Sequence, residues 1–238
     1  MNISEREDEL FDRWRRVREN LVSDGVNDLS CFLDSTPRIL FLLKEVNDPG
    51  EDGGGWDLRE FFGKSGGRSQ TGNTLCRWIE GISSTQSELP WCELEHVDSE
   101  RRRQSFRKVA TMNLKKSPGG ITTNPKEFLK VTAEDSEFIR EQFSFYEADW
   151  VICCGSIVAE VFESTIHPDL DSAWRKTSRG CWFVEYLPNK FVLSYSHPEA
   201  RIADSILHYG LMDAVQEISA TMSPANQPLH TDRASHGG

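Results

Sequence analysis

Four short apolar runs, separated by stretches with helical periodicity, constrain the fold of this chain more than any other feature. The runs are RILFLL (38–43), KVATMNL (108–114), WVICC (150–154) and FVLSYS (191–196). Continuous apolar runs of about 4–8 residues are typical of strands that are buried on both faces of a sheet. Strands that alternate with helices indicate an α/β fold. We therefore expect a three-layer α/β/α sandwich around a central, mostly parallel four-stranded sheet.

Helices are predicted around these runs. Ser4 and Glu7 have the spacing of a capping box, and apolar residues follow at helical spacing, so residues 5–22 are predicted to form an amphipathic helix. The segment GNTLCRWIEGI, residues 134–147 and the segment from Ile202 to Ile218 are predicted helices for the same reason. CWFVEYL is a further strand-like run, which the turn PNK joins to FVLSYS.

The chain has the length of one domain with a short tail. Its 238 residues suit a single domain over residues 1–221. Residues 222–238, MSPANQPLHTDRASHGG, are rich in Ser, Pro, Asn and His, so we expect a disordered tail there.

Charge is distributed unevenly along the chain. The formal net charge is −11, from 27 Lys and Arg against 38 Asp and Glu. This balance excludes a protein that is held on nucleic acid by its overall charge. Residues 101–116, RRRQSFRKVATMNLKK, nevertheless contain seven basic residues and no acidic one. Such an island is either a local surface that faces phosphates or a solvated helix face.

The cysteines and the apolar runs indicate a cytoplasmic protein. The six cysteines form no CxxC pair, and the six histidines are scattered without metal-ligand spacing. Residues 1–20 are densely charged, unlike a signal peptide, and no apolar run reaches the roughly 18 residues of a membrane span. We expect free thiols, no bound metal and no membrane partner.

Familiar nucleotide and nucleophile motifs are absent from the sequence. FFGKSG resembles a phosphate loop, but Leu58 stands where that motif requires Gly, and no GxGxxG occurs. Ser156 in CGSIV lies at a strand-to-helix turn but outside the GxSxG pattern. Ligands of open parallel sheets bind beyond the carboxyl ends of the strands, so the loops after the predicted strands are the place to look for a site.

Each predicted strand of the sheet leads into such a loop. The segments are FLLKEVNDPG, ATMNLKK, WVICCG and SYSHPEAR. Their order, with Asn-Asp-Pro-Gly first, Asn second, Gly third and His-Pro last, resembles the uracil-DNA glycosylase superfamily over residues 38–212. The resemblance implies a DNA-binding enzyme that flips a nucleotide out of DNA and hydrolyses the N-glycosidic bond of uracil or a modified pyrimidine. The product would be an abasic site.

The resemblance also implies roles for individual residues. Asn47 or Asp48 would hold the attacking water, and the choice stays open because the first motif carries one extra residue. Asn113 would read the edge of the pyrimidine, and His197 would contact the leaving base. These roles suit the chemistry, because an amide both donates and accepts hydrogen bonds and a donor stabilises the charge that develops on the leaving base.

Two further segments are similar to the branch of the superfamily that carries an iron–sulfur cluster. FFGKSGGRSQTGNTLCRWIEGI resembles that branch's Phe-x-Gly loop with its following helix, and SHPEAR resembles its ending. The cluster cysteines have no counterpart here, so we expect no cofactor. Glu199 stands where Ser usually follows His-Pro. The excised base therefore stays open between uracil, in base-excision repair, and a modified cytosine, in anti-phage defence.

The remaining expectations concern contacts with DNA. Phe61, Phe62 or Trp56 would stack on the flipped base. Phosphate contacts are expected from basic and loop residues, namely Lys64, Arg68, Lys115, Lys116, Ser117 and Arg201.

Two other functions stay open at this point. One is a catalytically weak member of the same fold that binds DNA or another protein, although an inert descendant would have no reason to keep the polar residues at 47, 48, 113 and 197. The other is an unrelated α/β hydrolase that uses Cys154 and His197.

Overall fold

The computed structural model describes residues 1–48, 53–84, 88–120 and 124–222. Within them the chain forms an α/β fold with one mixed sheet. Its seven strands are β1 (Gly25–Val26), β2 (Ile39–Leu43), β3 (Val109–Asn113), β4 (Trp150–Cys154), β5 (Arg175–Lys176), β6 (Trp182–Leu187) and β7 (Lys190–Tyr195). Their spatial order is β1-β3-β2-β4-β7-β6-β5.

The four central strands are those that the apolar runs predicted, and they are parallel. β2 pairs with β3 on one side and with β4 on the other, and β4 pairs with β7. The prediction of a four-stranded sheet is wrong, because β1 adds an antiparallel edge on one side and β6 with β5 adds another. β1 and β5 contain two residues each, so neither produces a run that periodicity detects.

Ten α-helices and one π-helical turn surround the sheet in the described part of the chain. The helices are α1 (Ile3–Trp14), α2 (Leu29–Asp34), α3 (Leu58–Ser65), α4 (Ser69–Ser83), α5 (Trp91–Leu94), α6 (Ser99–Phe106), α7 (Pro125–Glu134), α8 (Ser136–Phe143), α9 (Ser156–Val161) and α10 (Asp204–Met222), and the π-helical turn is Phe162–Ile166. Several begin at side-chain caps; Asp57, Asp98 and Asn124 each accept a backbone N–H of the first turn.

Helices cover both faces of the sheet. Successive side chains of a strand point to opposite faces. In β2, Leu40 and Leu42 belong to one buried cluster, which also includes residues of α1, α8 and α9. Phe41 and Leu43 belong to a second cluster, with residues of α3, α4 and α10. The sheet therefore lies between two layers of helices, each with its own core.

The first helix is shorter than the predicted span of residues 5–22. Its capping box is formed by Asn2 and Glu5, each of which accepts the backbone N–H of the other. The helix ends at Trp14. Glu7, which the sequence placed in the cap, is instead buried on the inner face of the helix.

The last helix runs through the predicted end of the domain. α10 ends at Met222, and residues 223–238 of the predicted disordered tail lie outside the described residues. Among the helices that the structure describes, none combines the length and the apolar character needed to cross a bilayer.

Candidate functional site

The loops that follow β2, β3, β4 and β7 leave the sheet at one edge. In the parallel ladders Leu43 is aligned with Asn113, and Cys154 is aligned with Tyr195, so the strands end at the same level. Only β4 separates β2 from β7. Neighbouring strands lie about 4.8 Å apart, so the chain leaves β2 and β7 at points roughly 10 Å from each other.

The loop after β2 is fastened to the loop after β3. The backbone N–H of Gly119 donates to Val46 at 2.9 Å, and the N–H of Asp48 donates to Gly119 at 3.2 Å. The carboxylate of Glu45 lies directly against Gly119, where a Cβ atom would meet it. Gly119 therefore positions the backbone of Asn47 and Asp48.

Two donors hold the carboxylate of Asp48. Its Oδ2 accepts a hydrogen bond from the indole Nε1 of Trp56 at 2.9 Å and one from the backbone N–H of Gly54 at 3.0 Å. These two donors, with the nearby charge of Arg68, lower the pKa of Asp48. No residue in the described ranges donates to Oδ1. Asp48 is therefore an ionised carboxylate with one oxygen left for a ligand.

Asn47 is held through its backbone. Its carbonyl accepts a 2.5 Å hydrogen bond from the guanidinium of Arg68. Its side-chain Oδ1 is buried and has no donor among the described residues. A buried oxygen in this situation costs on the order of 1–3 kcal/mol, which a bound water or ligand would recover. Of the two residues that the sequence left open, only Asp48 supplies a fixed negative charge.

His197 lies in the turn that follows β7. Its Nδ1 accepts a 3.1 Å hydrogen bond from the backbone N–H of Glu199, so the proton of the neutral ring is on Nε2. Burial is the main cause that lowers the pKa of His197, and the positive charge of Lys44 adds to it against the opposing charge of Glu199. The ring is therefore a neutral donor through Nε2 at neutral pH.

The start of α4 joins the two loops. Arg68, the residue before α4, donates to Asn47, and the hydroxyl of Thr71 in the first turn donates to the carboxylate of Glu199. Positions 68 and 71 are about one helical turn apart. The same turn therefore ties the loop after β2 and the loop after β7 into one patch of the sheet edge.

Asn113 ends β3 at this edge, but its amide is bonded to a buried carboxylate. Asn113 is 4% exposed. Its Nδ2 and its backbone N–H both donate to Oδ2 of Asp24, at 3.2 and 2.7 Å. Asp24 also accepts from Gln142 at 2.8 Å. The side chain of Asn113 therefore has its Oδ1 and one N–H left for a ligand.

Two lysines that we expected at phosphates are buried ion pairs instead. The side chain of Lys116 is 0% exposed and lies 2.5 Å from Asp24, and Lys115 lies 2.6 Å from Glu45. A buried ammonium that is held by a carboxylate does not reach the phosphate of a bound strand, so these two expectations are corrected. Ser117, in the same loop, is half-buried. The sequence predicts exposed side chains for Lys115 and Lys116 because lysine is seldom buried in folded proteins.

The rest of the basic island at residues 101–116 is also engaged within the protein. Its arginines contact neighbouring acidic or polar groups, in the pairs Arg101–Glu80, Arg103–Glu100, Arg107–Asp28 and Arg102–Asn73. Among its basic residues, Lys108 alone has no hydrogen bond or ion pair from its side chain to the part of the chain that the structure describes. Most of the island therefore holds α6 and the following loop in place, and only Arg107 and Lys108 of its basic residues are exposed.

The three aromatic residues that we expected to stack on a base lie in different environments. Phe62 is buried and stacks on Phe106 with ring centroids 4.1 Å apart, so it is a core residue. Phe61 is 37% exposed, and Trp56 meets it edge to face at 5.7 Å. Trp56 and Phe61 therefore remain as the aromatic surface beside Asp48.

The other basic residues of the predicted DNA contacts are exposed. Arg68 precedes α4, and Arg201 lies shortly after His197. Lys64 lies in α3, where it pairs with Glu60 at 2.6 Å. An exposed ion pair of this kind is worth little, so Lys64 remains free to exchange its carboxylate for a phosphate.

Cys154 does not suit the alternative role of a nucleophile. It is fully buried, its Sγ lies 3.7 Å from the carbonyl of Ile152, and burial raises the pKa of its thiol far above the usual range. A reactive cysteine needs a low pKa and access to solvent. Within the described ranges no group of three or more His, Cys, Asp and Glu residues is placed to hold a metal ion.

Sequence reasoning missed three residues that shape this edge. Asp24 precedes a two-residue strand and belongs to no motif. Lys44 directly follows β2, and its position at the carboxyl end of a parallel strand could have indicated that it lies near the site. Thr71 looks like any other polar residue in the first turn of a helix.

Comparison with known proteins leaves the site to be interpreted from its own geometry. No protein-family model matches the chain, and no curated protein matches it significantly.

Proposed function

We propose that this chain is a DNA glycosylase of the uracil-DNA glycosylase superfamily, which hydrolyses the N-glycosidic bond of a flipped-out uracil or modified pyrimidine. One observation carries the proposal: an ionised Asp48 and a neutral His197 with its proton on Nε2 face the same sheet edge. They lie in the loops that follow β2 and β7, two strands whose ends are roughly 10 Å apart, which is about the length of a nucleoside. The reaction needs these two charge states at opposite ends of the nucleoside.

Asp48 suits the sugar end of the reaction. Cleavage of the glycosidic bond gives the sugar cationic character, and a carboxylate stabilises that charge. The free Oδ1 of Asp48 would orient a water molecule toward C1′ while Trp56 and Gly54 hold Oδ2. The water would transfer a proton to the carboxylate of Asp48 as the new C–O bond forms, which leaves a hydroxyl group on the sugar of the abasic product, and the released base anion would take up a proton from solvent.

His197 suits the base end. The base departs as an anion, and a neutral imidazole can donate from Nε2 to an oxygen of that base. The hydrogen bond from Glu199 to Nδ1 fixes the required tautomer before the substrate arrives. Neither His197 nor Asp48 has to change its protonation state before the bond breaks.

A second candidate function, DNA binding without excision, is favoured by one observation. Asn113 is buried, and one N–H of its Nδ2 is bonded to Asp24. Its remaining Oδ1 accepts from either N3–H of uracil or the exocyclic amine of cytosine, so this geometry does not choose between the two bases. In a protein that only binds DNA, Asn113 would stay bonded to Asp24 and would make no contact with a base.

The decisive experiment is an excision assay on a panel of labelled oligonucleotides. Uracil and modified cytosines are placed in single- and double-stranded DNA, and abasic products are revealed as breaks after alkali. We expect breaks at one class of base. Asp48→Ala and His197→Ala should each reduce turnover by about 10²–10³-fold while DNA binding persists. His96→Ala, an exposed histidine in the segment between α5 and α6, is the matched control and should retain full activity. Intact oligonucleotides across the panel, with DNA binding retained, would support the second candidate.

A further inference from the structure

An exposed tryptophan lies at the same edge of the sheet as His197. Trp182 begins β6 and is aligned with Ser194 of β7, three residues before His197. It is 45% exposed. Three residues span at most about 10 Å and neighbouring strands lie about 4.8 Å apart, so Trp182 and His197 have Cα atoms within about 15 Å of each other.

A lysine lies over the ring of this tryptophan. Lys176 of β5 is aligned with Trp182, and its Nζ lies 4.3 Å from the centroid of the indole ring. The segment WRKTSRGCW (174–182) contains three basic residues and no acidic one. Arg179, in the turn between β5 and β6, contacts Asp213 at 3.2 Å, but its side chain is largely exposed. Glu217 of α10 accepts hydrogen bonds from Ser178 in the same turn, so the positive charge beside the exposed ring is that of Lys176.

We propose that Trp182 and Lys176 form a stacking platform for an unpaired base of the same DNA strand that enters the site. Single-stranded nucleic acid is bound by aromatic rings on which bases stack and by basic residues that follow the phosphates. Stacked nucleotides repeat about every 3.4 Å, so Trp182 lies within about four nucleotides of the excised base. The inference rests on the proposed function and adds a preference for single-stranded or locally opened DNA.

The lysine above the ring fits this role. An ammonium over an aromatic face is attracted by the ring, which keeps Lys176 beside the indole in the absence of DNA. The side chain of Lys176 is exposed and belongs to an edge strand, so it can turn to a phosphate while a base occupies the ring. A basic side chain and an aromatic ring therefore lie side by side where the bound DNA strand would pass.

The test is the binding of a fluorescently labelled oligo-dT to the full chain, followed by anisotropy at several salt concentrations. We expect Trp182→Ala to weaken binding by about ten-fold or more and Trp182→Phe to retain most of the affinity, because a phenyl ring still stacks. Lys176→Ala should reduce the slope of log K against log salt by about 0.7, the value for one phosphate contact on a single strand.

Two control variants come from the same protein. Leu187 lies at the other end of β6 and is 41% exposed, so Leu187→Ala removes a similar apolar surface from the opposite edge of the sheet. Lys130 in α7 is an exposed lysine that pairs with Glu134, and Lys130→Ala controls for loss of charge. Both controls should bind oligo-dT as the wild-type chain does. Matching unfolding curves establish that the variants are folded.

The outcomes separate this inference from the proposed function. Wild-type affinity in Trp182→Ala, or no measurable affinity of the wild-type chain for oligo-dT, overturns the stacking platform even if uracil or a modified cytosine is excised from duplex DNA. Loss of oligo-dT binding in Trp182→Ala together with an inactive wild-type enzyme supports the platform and rejects excision. Tryptophan fluorescence that is quenched by oligo-dT in the wild-type chain but less in Trp182→Phe supports direct stacking.

Discussion

The indole Nε1 of Trp56 donates a 2.9 Å hydrogen bond to Oδ2 of Asp48. The carbonyl of Trp56 accepts the backbone N–H of Ser23 at 3.1 Å, shortly before β1. The carboxylate at the candidate site is therefore tied through one side chain to the antiparallel edge of the sheet. Trp56, eight residues after Asp48, therefore helps to set both the position and the pKa of Asp48.

Trp56→Phe removes this donor and keeps an aromatic ring. Because the Trp56 hydrogen bond is the largest cause that lowers the pKa of Asp48, its loss should raise that pKa. The acid limb of a plot of kcat/KM for excision against pH should then move to higher pH. Trp91→Phe, in α5, is the matched control and should leave the limb in place. An unmoved limb in Trp56→Phe would show that Asp48 is not the group that titrates.

The charge of Lys44 should be detectable at His197. Lys44→Ala removes a positive charge that lowers the pKa of His197, so that pKa should rise. NMR titration of the imidazole C–H signals of His197 measures the shift directly and does not depend on any activity. Lys108→Ala is the control, because Lys108 is an exposed lysine that makes no contribution to this pKa. Equal titration curves in the wild type and Lys44→Ala would contradict the proximity of the two loops.

The ion pair of Lys116 and Asp24 should dominate stability rather than DNA binding. Lys116→Met leaves the buried carboxylate of Asp24 without its partner, which should reduce the free energy of unfolding by about 3–5 kcal/mol. Urea denaturation measures the loss. Lys130→Met, at the exposed pair with Glu134, should change it by less than about 1 kcal/mol. Similar small losses in both variants would mean that Lys116 reaches solvent.

Glu7 should make stability fall as pH rises. Burial raises the pKa of Glu7 from 4.5 to about 7 in the folded chain, against the opposing charge of Arg59. The folded state then binds the proton more tightly than the unfolded state, so the free energy of unfolding decreases between pH 4.5 and 7. The change is on the order of 3 kcal/mol. Glu7→Gln imitates the protonated side chain and should flatten this slope in urea denaturation at a series of pH values. An unaltered slope would contradict the assignment.

His208 should act in the opposite direction. Burial, with a smaller contribution from the charge of Arg77, lowers the pKa of His208 from 6.5 to about 4. The unfolded state then binds the proton more tightly, so the free energy of unfolding decreases as pH falls from 6.5 to 4. Both ring nitrogens of His208 lack partners among the described residues, so His208→Leu should remove the acid sensitivity without loss of stability at pH 7. Acid unfolding that is unchanged in this variant would show that another group titrates.

The sequence was sufficient for the centre of the sheet. The four parallel strands are continuous apolar runs because both of their faces are covered by helices, and this pattern is legible without tertiary information. β1 and β5 were missed because a two-residue strand is defined by its partner and not by its own composition.

The candidate site was predictable only where it depends on strand ends. The positions of Asn47, Asp48 and His197 follow from the rule that the carboxyl ends of parallel strands meet at one edge. The environment of Lys116 does not follow from any such rule, because its partner, Asp24, is 92 residues away in the chain. The sequence therefore predicts phosphate contacts for Lys115 and Lys116, whereas both side chains are buried in ion pairs.

The imidazole of His197 is oriented by the main chain of residue 199 and not by its side chain. Every amino acid other than proline has this backbone N–H. The side chain at position 199 therefore does not determine the orientation of the imidazole. The side chain of Glu199 is therefore free to accept the hydroxyl of Thr71, while the amide of the same residue alone sets the direction of the Nε2 donor.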